Sequence, residues 1–243
     1  FFSYATSLIY KTCVLVLSGG YTMDFKPSKN LAEQIAQYLG DKIILFQLKP
    51  GERLIEEDLA RELGVSRSPL REALRILEKK WLVDLIPRRE ARVSILNEQL
   101  LVSTGDILKE IYGLVARRAA EFGNKEELDL ISKKLTALED CAKNQDRRGY
   151  FDALIEYESA CLRAAKNPVL DILLKDLWPS TRRVQYATIK LRNEDLTDSV
   201  KYFKQAFSFL MEKNGDKAAA IIREVIGIET RYSVKYFSQF NSL

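Results

Sequence analysis

The sequence predicts a mainly α-helical protein with two domains: a small N-terminal domain of three helices and a short β-hairpin, then an antiparallel bundle of about six helices. Two short amphipathic helices joined by a sharp turn are expected between Asp58 and Leu77. Two strand-like runs follow at 82–86 and 91–95. Helical periodicity then persists from residue 97 to the C-terminus without a further strand pattern.

Composition limits the functions that are open to this chain. It has 243 residues, of which 47% are hydrophobic, but no apolar run of about 18 residues, so no membrane span is predicted. Cys13, Cys141 and Cys161 are too scattered for a disulfide framework or a cysteine metal site, and a reducing cytoplasm is the expected setting. The absence of histidine removes His-based triads, general bases and metal ligands.

Residues 1–22 share no pattern with the rest of the chain. Ser18 to Met23 can be back-translated to a purine-rich stretch before an ATG codon, which resembles a bacterial ribosome-binding site. We therefore expect Met23 to be the native start and residues 1–22 to be a non-native or disordered extension. The alternative is a genuine N-terminal arm.

The N-terminal domain, residues 23–96, is expected to begin with a helix that ends near Phe46. A second helix includes Leu59, Ala60 and Leu63 on one apolar face and stops at Gly64, a residue that tolerates left-handed geometry. In the third helix, Ser66 or Ser68 can cap the N-terminus. Its buried stripe is predicted to consist of Leu70, Ala73, Leu74 and Leu77.

The opposite face of that third helix carries Arg67, Arg71 and Arg75, each about one turn from the next. This row has the shape and charge of a DNA recognition helix, although a solvated basic face is the plainer interpretation. The hairpin after it has a basic tip at Arg88 and Arg89. Between residues 66 and 92 there are eight Lys or Arg and four acids, an excess equal to the +4 of the whole chain.

The segments Pro50-Gly-Glu-Arg-Leu54, Leu63-Gly-Val-Ser-Arg-Ser-Pro-Leu-Arg-Glu-Ala-Leu74 and Pro87 to Val93 resemble the winged helix–turn–helix of the GntR family of bacterial transcription regulators. The resemblance implies that Ser66, Arg67, Ser68 and Arg71 meet operator bases and phosphates, with Arg75 extending the same face. It also implies a wing tip in the minor groove. The family usually has glycine where this chain has Glu90, so the alternative is that Arg88 and Arg89 hold phosphates.

After Asn97 the breaks between periodic segments predict six helices and a second domain over residues 97–243. The predicted helices are 97–122, 125–143, 147–166, 168–190, 195–213 and 216–239. This domain resembles the FCD (FadR C-terminal) ligand-sensing domain, on the basis of Ala164-Ala165-Lys-Asn167 and Gly215-Asp216-Lys-Ala218.

Many FCD domains hold a metal with one Asp and three His. Counting from the two FCD motifs places these ligands at Leu154, Glu158, Gln205 and Gly227, none of which matches. We therefore expect neither a metal nor any other cofactor; a carboxylate-only site using Asp152, Glu156 or Glu158 is the alternative.

Without a metal, polar residues on inward faces of the bundle are expected to hold the effector. The candidates are Lys109, Tyr112, Glu158, Arg182, Arg183 and Gln205. One acid among several cations favours a small anionic or amide-bearing metabolite. Each of these side chains could instead be solvated or cap a helix.

The predicted function is therefore a ligand-responsive transcription regulator that binds an inverted-repeat DNA operator as a homodimer, because one recognition helix contacts only a few base pairs. The alternative is a helical-bundle enzyme or carrier with an incidental basic hairpin, which no nucleophile–base pair in the sequence supports. Repression and activation are both compatible with the sequence.

Overall fold

A computed structural model describes residues 30–86 and 91–243, and within these ranges residues 31–243 form one compact unit. The helices there are α1 Leu31–Ile44, α2 Glu56–Leu63, α3 Arg67–Lys79, α4 Glu98–Phe122, α5 Lys125–Lys143, α6 Arg147–Ala164, α7 Pro168–Leu191, α8 Leu196–Met211 and α9 Gly215–Phe240. The strands are β1 Arg53–Leu54, β2 Val83–Leu85 and β3 Ala91–Val93. The predicted mainly α fold class is confirmed. The predicted extension at residues 1–22 lies outside the described residues.

The turn between α2 and α3 follows the sequence prediction. Gly64 ends α2 with φ at 65°, and its N–H group bonds the carbonyls of Ala60 and Arg61. Ser66 occupies the N-cap position of α3 with extended backbone, but its side chain makes no capping bond in the structure. The apolar stripe of α3 is fully buried against α1, which contributes Leu39 and Ile43 to the same core.

The strands form a three-stranded antiparallel sheet in the order β1-β3-β2. Val83 pairs with Val93 and Leu85 with Ala91, so the two strand-like runs pair as an antiparallel hairpin, as predicted. Strand β1 was not predicted, because two residues are too short to show an alternating pattern. Its Leu54 pairs with Ala91 and is buried beneath the hairpin.

The six bundle helices begin and end within two residues of the predicted positions. Each begins after an Asn or Asp whose side chain accepts a backbone N–H of the first turn, which explains why the breaks could be found in the sequence. These caps are Asn97, Asn124, Asp146, Asn167, Asp195 and Asn214. Among the described residues, no helix is long and apolar enough to cross a membrane.

The two predicted domains share a small apolar cluster. Phe46, just after α1, packs with Leu101 of α4, Ala187 of α7, and Tyr236 and Phe240 of α9. Because this cluster joins the sheet-bearing part to the bundle, the domain boundary between residues 96 and 97 stays a prediction. The shared cluster packs the segment just after α1 against α4, α7 and α9.

Candidate DNA interface and effector cavity

The face of α3 that was predicted to contact DNA is exposed. Ser66, Arg67, Ser68, Arg71 and Arg75 all lie on the solvent side of the helix–turn–helix, opposite the buried stripe. A helix with this shape and a row of guanidinium groups can enter a major groove and bond to base edges and phosphates. Arg88 and Arg89, the predicted wing contacts, lie outside the described residues.

Two of these arginines are held by acids of α2. The Nε atom of Arg71 lies 2.7 Å from Glu56 Oε2, and the Nη2 atom of Arg67 lies 3.1 Å from Glu57 Oε2. Both pairs are largely exposed, so each contributes little to folding. They do keep the guanidinium groups close to α2, and bound DNA has to replace these carboxylates with its own acceptors.

A cavity of about 90 Å³, here called the inner cavity, lies between α4, α6, α7, α8 and α9. Its wall is mostly apolar and includes Val115, Leu154, Phe203, Leu210 and Ile222. The polar side chains that reach it include Tyr112, Glu158, Gln185, Glu229 and Ser233. An enclosed apolar site with a few convergent polar groups has the usual character of a small-molecule site.

Glu158 is the centre of a buried polar group, here called the Glu158 cluster. Tyr112 Oη donates to Glu158 Oε2 at 3.0 Å, and Gln185 Nε2 donates to Oε1 at 3.0 Å. Trp178 Nε1 donates to Tyr112 Oη at 3.2 Å, and Arg182 Nη2 lies 3.9 Å from Glu158 Oε2. Burial raises the pKa of Glu158, an effect that Arg182, Gln185 and Tyr112 oppose.

A second carboxylate, Glu229, also lines the inner cavity. Arg192 is fully buried, and its Nη1 atom donates to both oxygens of Glu229 at 3.0 and 3.1 Å. Ser199 Oγ also donates to Glu229, and the ring of Tyr232 lies 4.4 Å below the Arg192 guanidinium. This charge is therefore paired inside the protein, which leaves the Glu158 cluster as the more adaptable polar end.

The structure brings together only some of the predicted effector residues. Tyr112 and Glu158 line the inner cavity, and Arg182 lies directly behind Glu158. Lys109 is paired with Asp106 on the surface, and Gln205 is exposed on α8, so neither lines the cavity.

Arg183 is fully buried but bonds Ser94 between β3 and α4: its Nη1 atom donates to Ser94 O at 2.9 Å and to Ser94 Oγ at 3.0 Å. A role for Lys109, Arg183 or Gln205 in direct effector binding therefore has no support from the geometry.

The family's metal site does not fit the residues present here. Of the four positions expected from the resemblance, only Glu158 carries a carboxylate, and that carboxylate already engages Tyr112, Gln185 and Arg182. In the part of the chain that the structure describes, no group of three or more Cys, Asp or Glu side chains could hold a metal. Asp152 and Glu156, the other carboxylates considered, pair with Arg148 and Lys134.

The sequence did not lead us to expect that Gln185, Glu229 and Arg192 lie inside the bundle. Polar residues of this kind are usually exposed, and only the packing of α7 and α9 shows that they face inward. One signal was available: Gln185 and Arg192 follow Arg182 by three and ten residues, so they lie near the same face of α7. Residue spacing along α7 could therefore have predicted that these side chains lie near one another. It could not have predicted that they lie beside Glu158, which is on α6.

A basic helix–turn–helix joined to a helical bundle with an internal cavity defines a ligand-sensing, DNA-binding transcription regulator. Residues 31–93 match the family described as "Bacterial regulatory proteins, gntR family", and residues 106–227 match the FCD domain. The chain belongs to the GntR family and carries an FCD ligand-sensing domain.

Similar proteins are named as transcription regulators. The "Galactonate operon transcriptional repressor" of Escherichia coli (strain K12) is 27% identical over 222 residues, which cover 83% of this chain and 96% of that protein. The "Probable D-xylose utilization operon transcriptional repressor" of Paenarthrobacter nicotinovorans is 29% identical over 140 residues, covering 58% of this chain and 62% of that protein.

The solved structure titled "E. coli McbR/YncC" has the same fold, with a TM-score of 0.74, 20% identity, and coverage of 87% of this chain and 100% of that chain.

Proposed function

We propose that the protein is a homodimeric regulator that binds an inverted-repeat operator, and that a small hydroxy acid in the inner cavity changes its operator affinity. The observation that carries the effector proposal is a pair of buried polar atoms without a partner at the Glu158 cluster. They are Arg182 Nη1, a donor, and Gln185 Oε1, an acceptor. Buried atoms of this kind are normally bonded, so they indicate which groups a ligand at this cluster would have to supply.

A hydroxy acid carries the two groups that these atoms require. Its hydroxyl can donate to Gln185 Oε1, which lines the inner cavity. Arg182 does not itself line the cavity, so the carboxylate would accept from Arg182 Nη1 at the point where the Glu158 cluster adjoins the cavity. The apolar wall of the inner cavity encloses the carbon chain. The proposed ligand is still a small anion, as the sequence led us to expect. The proposed binding residues are now Arg182 and Gln185, instead of the larger set of cations predicted from the sequence. The proposal gives the chain no catalytic role.

Charge at the cluster determines how the effector affinity depends on pH. Glu158 and Arg182 already form a neutral pair, so an added anion leaves one excess negative charge in a buried site. Protonation of Glu158 removes that charge, and burial already raises the Glu158 pKa. The anion is therefore expected to bind together with one proton, and its affinity should fall as pH rises through the Glu158 pKa.

The names of two relatives point to different kinds of small molecule. The name of one refers to galactonate, which is a hydroxy acid, and the name of the other refers to D-xylose, which is a neutral sugar. We expect hydroxy acids in a series from glycolate to D-galactonate to include a compound that alters operator binding, and D-xylose to have no effect through the inner cavity. Gln185→Leu should weaken the response about fivefold, the loss of about one hydrogen bond. The matched control is Gln205→Leu, because Gln205 is exposed on α8.

Operator gel shifts with each compound, and calorimetry at several pH values, measure these effects. Glu158→Gln should remove the proton uptake while retaining binding. Equal losses for the two glutamine variants, or binding that is independent of pH in the unmodified protein, would contradict the proposed site.

The homodimer proposal is supported by an exposed apolar stripe on α4. Leu100, Ile107 and Leu114 follow each other at intervals of seven residues and are 44%, 54% and 38% exposed. An interval of seven places them on one helix face, where a second copy can cover them about a two-fold axis. Two recognition helices related by this axis would contact an inverted repeat with half-sites close to one helical turn apart or less.

Ile107→Lys is expected to convert the dimer to a monomer, because it places a charge at the centre of this stripe. Ile172→Lys on α7 is the matched control, since Ile172 is 62% exposed but lies on another helix. Sedimentation velocity and operator footprinting measure the outcome. The α4 assignment would be wrong if Ile107→Lys stayed dimeric or if Ile172→Lys were the variant that dissociated.

A further inference from the structure

A second and larger cavity lies where the helix–turn–helix part meets the bundle. This junction cavity has a volume of about 420 Å³. One side is formed by Glu78 and Trp81 at the end of α3 and by Val83 and Asp84 of β2. The other side is formed by residues of α4, α7 and α9. A molecule in this cavity would touch the recognition helix, the wing hairpin and the sensing bundle at once.

The junction cavity adjoins the inner cavity but is a separate site. Five side chains line both cavities and form the wall between them: Tyr112, Gln185, Ile226, Glu229 and Ser233. The Glu158 side chain lines only the inner cavity, and Trp81, Asp84 and Thr104 line only the junction cavity. Glu158, the acid of the proposed effector site, therefore faces only the inner cavity, whereas Gln185 lies in the wall that the two cavities share.

The wall of the junction cavity is mostly apolar, and the polar atoms that it presents are mainly hydrogen-bond acceptors. Glu78 and Asp84 contribute carboxylates, and no Lys or Arg of the described residues lines the cavity. The hydroxyls of Ser94, Ser180 and Thr230 already donate to backbone carbonyls, so their free lone pairs can only accept. A ligand that supplies donors is therefore favoured here, and an anion would face carboxylates without a cation among the described lining residues.

Two further side chains refine the ligand class. Asn97 Oδ1 accepts the N–H of Leu100 as the cap of α4, which leaves the side-chain NH₂ group to donate to a ligand oxygen. Trp81 offers an aromatic surface beside these polar groups and is 47% exposed. A flat apolar surface next to acceptors, with amide donors on Asn97 and Gln185, fits a ring that has hydroxyls at its edge and C–H groups on its face.

We propose that the junction cavity is a second ligand site, for a neutral, hydroxyl-rich cyclic molecule such as a monosaccharide or cyclitol. Its occupant contacts α3 and β2 as well as α4, α7 and α9, so it stabilises this placement of the DNA-binding part relative to the bundle. The site goes beyond the effector proposal, which concerns the inner cavity and an anion.

The chain's two tryptophans allow the two cavities to be observed separately. Trp81 lines the junction cavity, and Trp178 belongs to the Glu158 cluster. In Trp178→Phe the remaining emission reports the junction, and in Trp81→Phe it reports the inner cavity. The full chain is titrated, without DNA, with D-glucose, D-ribose and meso-inositol, and with D-gluconate as the anionic counterpart.

We expect at least one neutral compound to change the Trp81 emission with saturation, and D-gluconate to act at least about tenfold more weakly there because like charges oppose it. Thr104→Phe should abolish the Trp81 response by filling the cavity. Asn97→Asp, which keeps the helix cap but removes the amide donor, should weaken it in a protein that still folds.

A flat Trp81 signal with every neutral compound would overturn the proposal, as would an unchanged response in both variants. A response of Trp178 alone would place the ligand in the inner cavity, which also overturns the junction site. Because no DNA is present, these results do not depend on whether a hydroxy acid controls operator binding.

Discussion

Arg71→Ala is expected to lower affinity for the operator by about 1–3 kcal/mol, or about 5- to 150-fold, with a much smaller loss on scrambled DNA. The reason is that Arg71 is exposed on the face of α3 that is predicted to enter the major groove, where a guanidinium can bond a guanine edge in two places. Arg88→Ala is expected to weaken binding to both DNAs alike, because a phosphate contact carries no sequence information.

Salt provides a second measurement for the same comparison. Loss of one phosphate contact lowers the slope of log affinity against log salt by about 0.9, whereas loss of a base contact changes it less. Titrations on both DNAs at several salt concentrations therefore separate the two roles. Equal losses on operator and scrambled DNA for Arg71→Ala would mean that this residue does not contact bases specifically.

The ion pair between Arg71 and Glu56 adds a control to this comparison. In the free protein Glu56 holds the Arg71 guanidinium at 2.7 Å, so a base has to displace a carboxylate. Glu56→Gln should therefore raise operator affinity in the unmodified background and have a smaller effect in Arg71→Ala. A double-mutant cycle measures this difference.

The helix–turn–helix could be predicted because its signals are local. Gly64, the cap position at Ser66 and the apolar spacing of α3 each act within one turn of the chain, and the structure retains all three positions. The pairing of Arg67 and Arg71 with acids of α2 depends on the angle between the two helices. That angle cannot be predicted from the spacing of residues in the sequence.

The effector site was harder to predict because it depends on which face of each helix turns inward. Gln205 was placed by counting back from Gly215-Asp216, but that count crosses the turn between α8 and α9. The inward face of α8 carries Phe203, Ala206 and Leu210 instead. Tyr112 and Glu158 do line the inner cavity, and their role in effector binding stays a prediction.

Arg183 shows the limit most clearly, since it was expected to bind the effector and instead binds Ser94. Its Nε and Nη2 atoms are buried without partners, and burial lowers its pKa to about 10. Ser94 Oγ in turn donates to the Trp81 carbonyl at the end of α3, at 2.8 Å. Arg182 and Arg183 are thus neighbours on α7 with different contacts. Arg182 lies at the Glu158 cluster, and Arg183 is bonded through Ser94 to the segment just after α3.

Arg183→Met is therefore expected to separate effector binding from DNA binding without unfolding the protein. Methionine fills a similar volume and removes a buried charge with two unpartnered nitrogen atoms, so the melting temperature should be unchanged or higher. The hydroxy acid should still bind by calorimetry. Its effect on operator affinity, for which a typical coupling is about 1–3 kcal/mol, should fall towards zero.

Arg182→Met is the matched control, because it changes the adjacent arginine on the same helix. It removes the proposed anion contact at Glu158, so effector binding itself should be lost while operator affinity without effector stays the same. The measurement is the ratio of operator affinities with and without the hydroxy acid, alongside calorimetry of the acid alone. Full coupling in Arg183→Met would show that the Arg183–Ser94 contact only supports the fold, and that the signal reaches α3 by another contact.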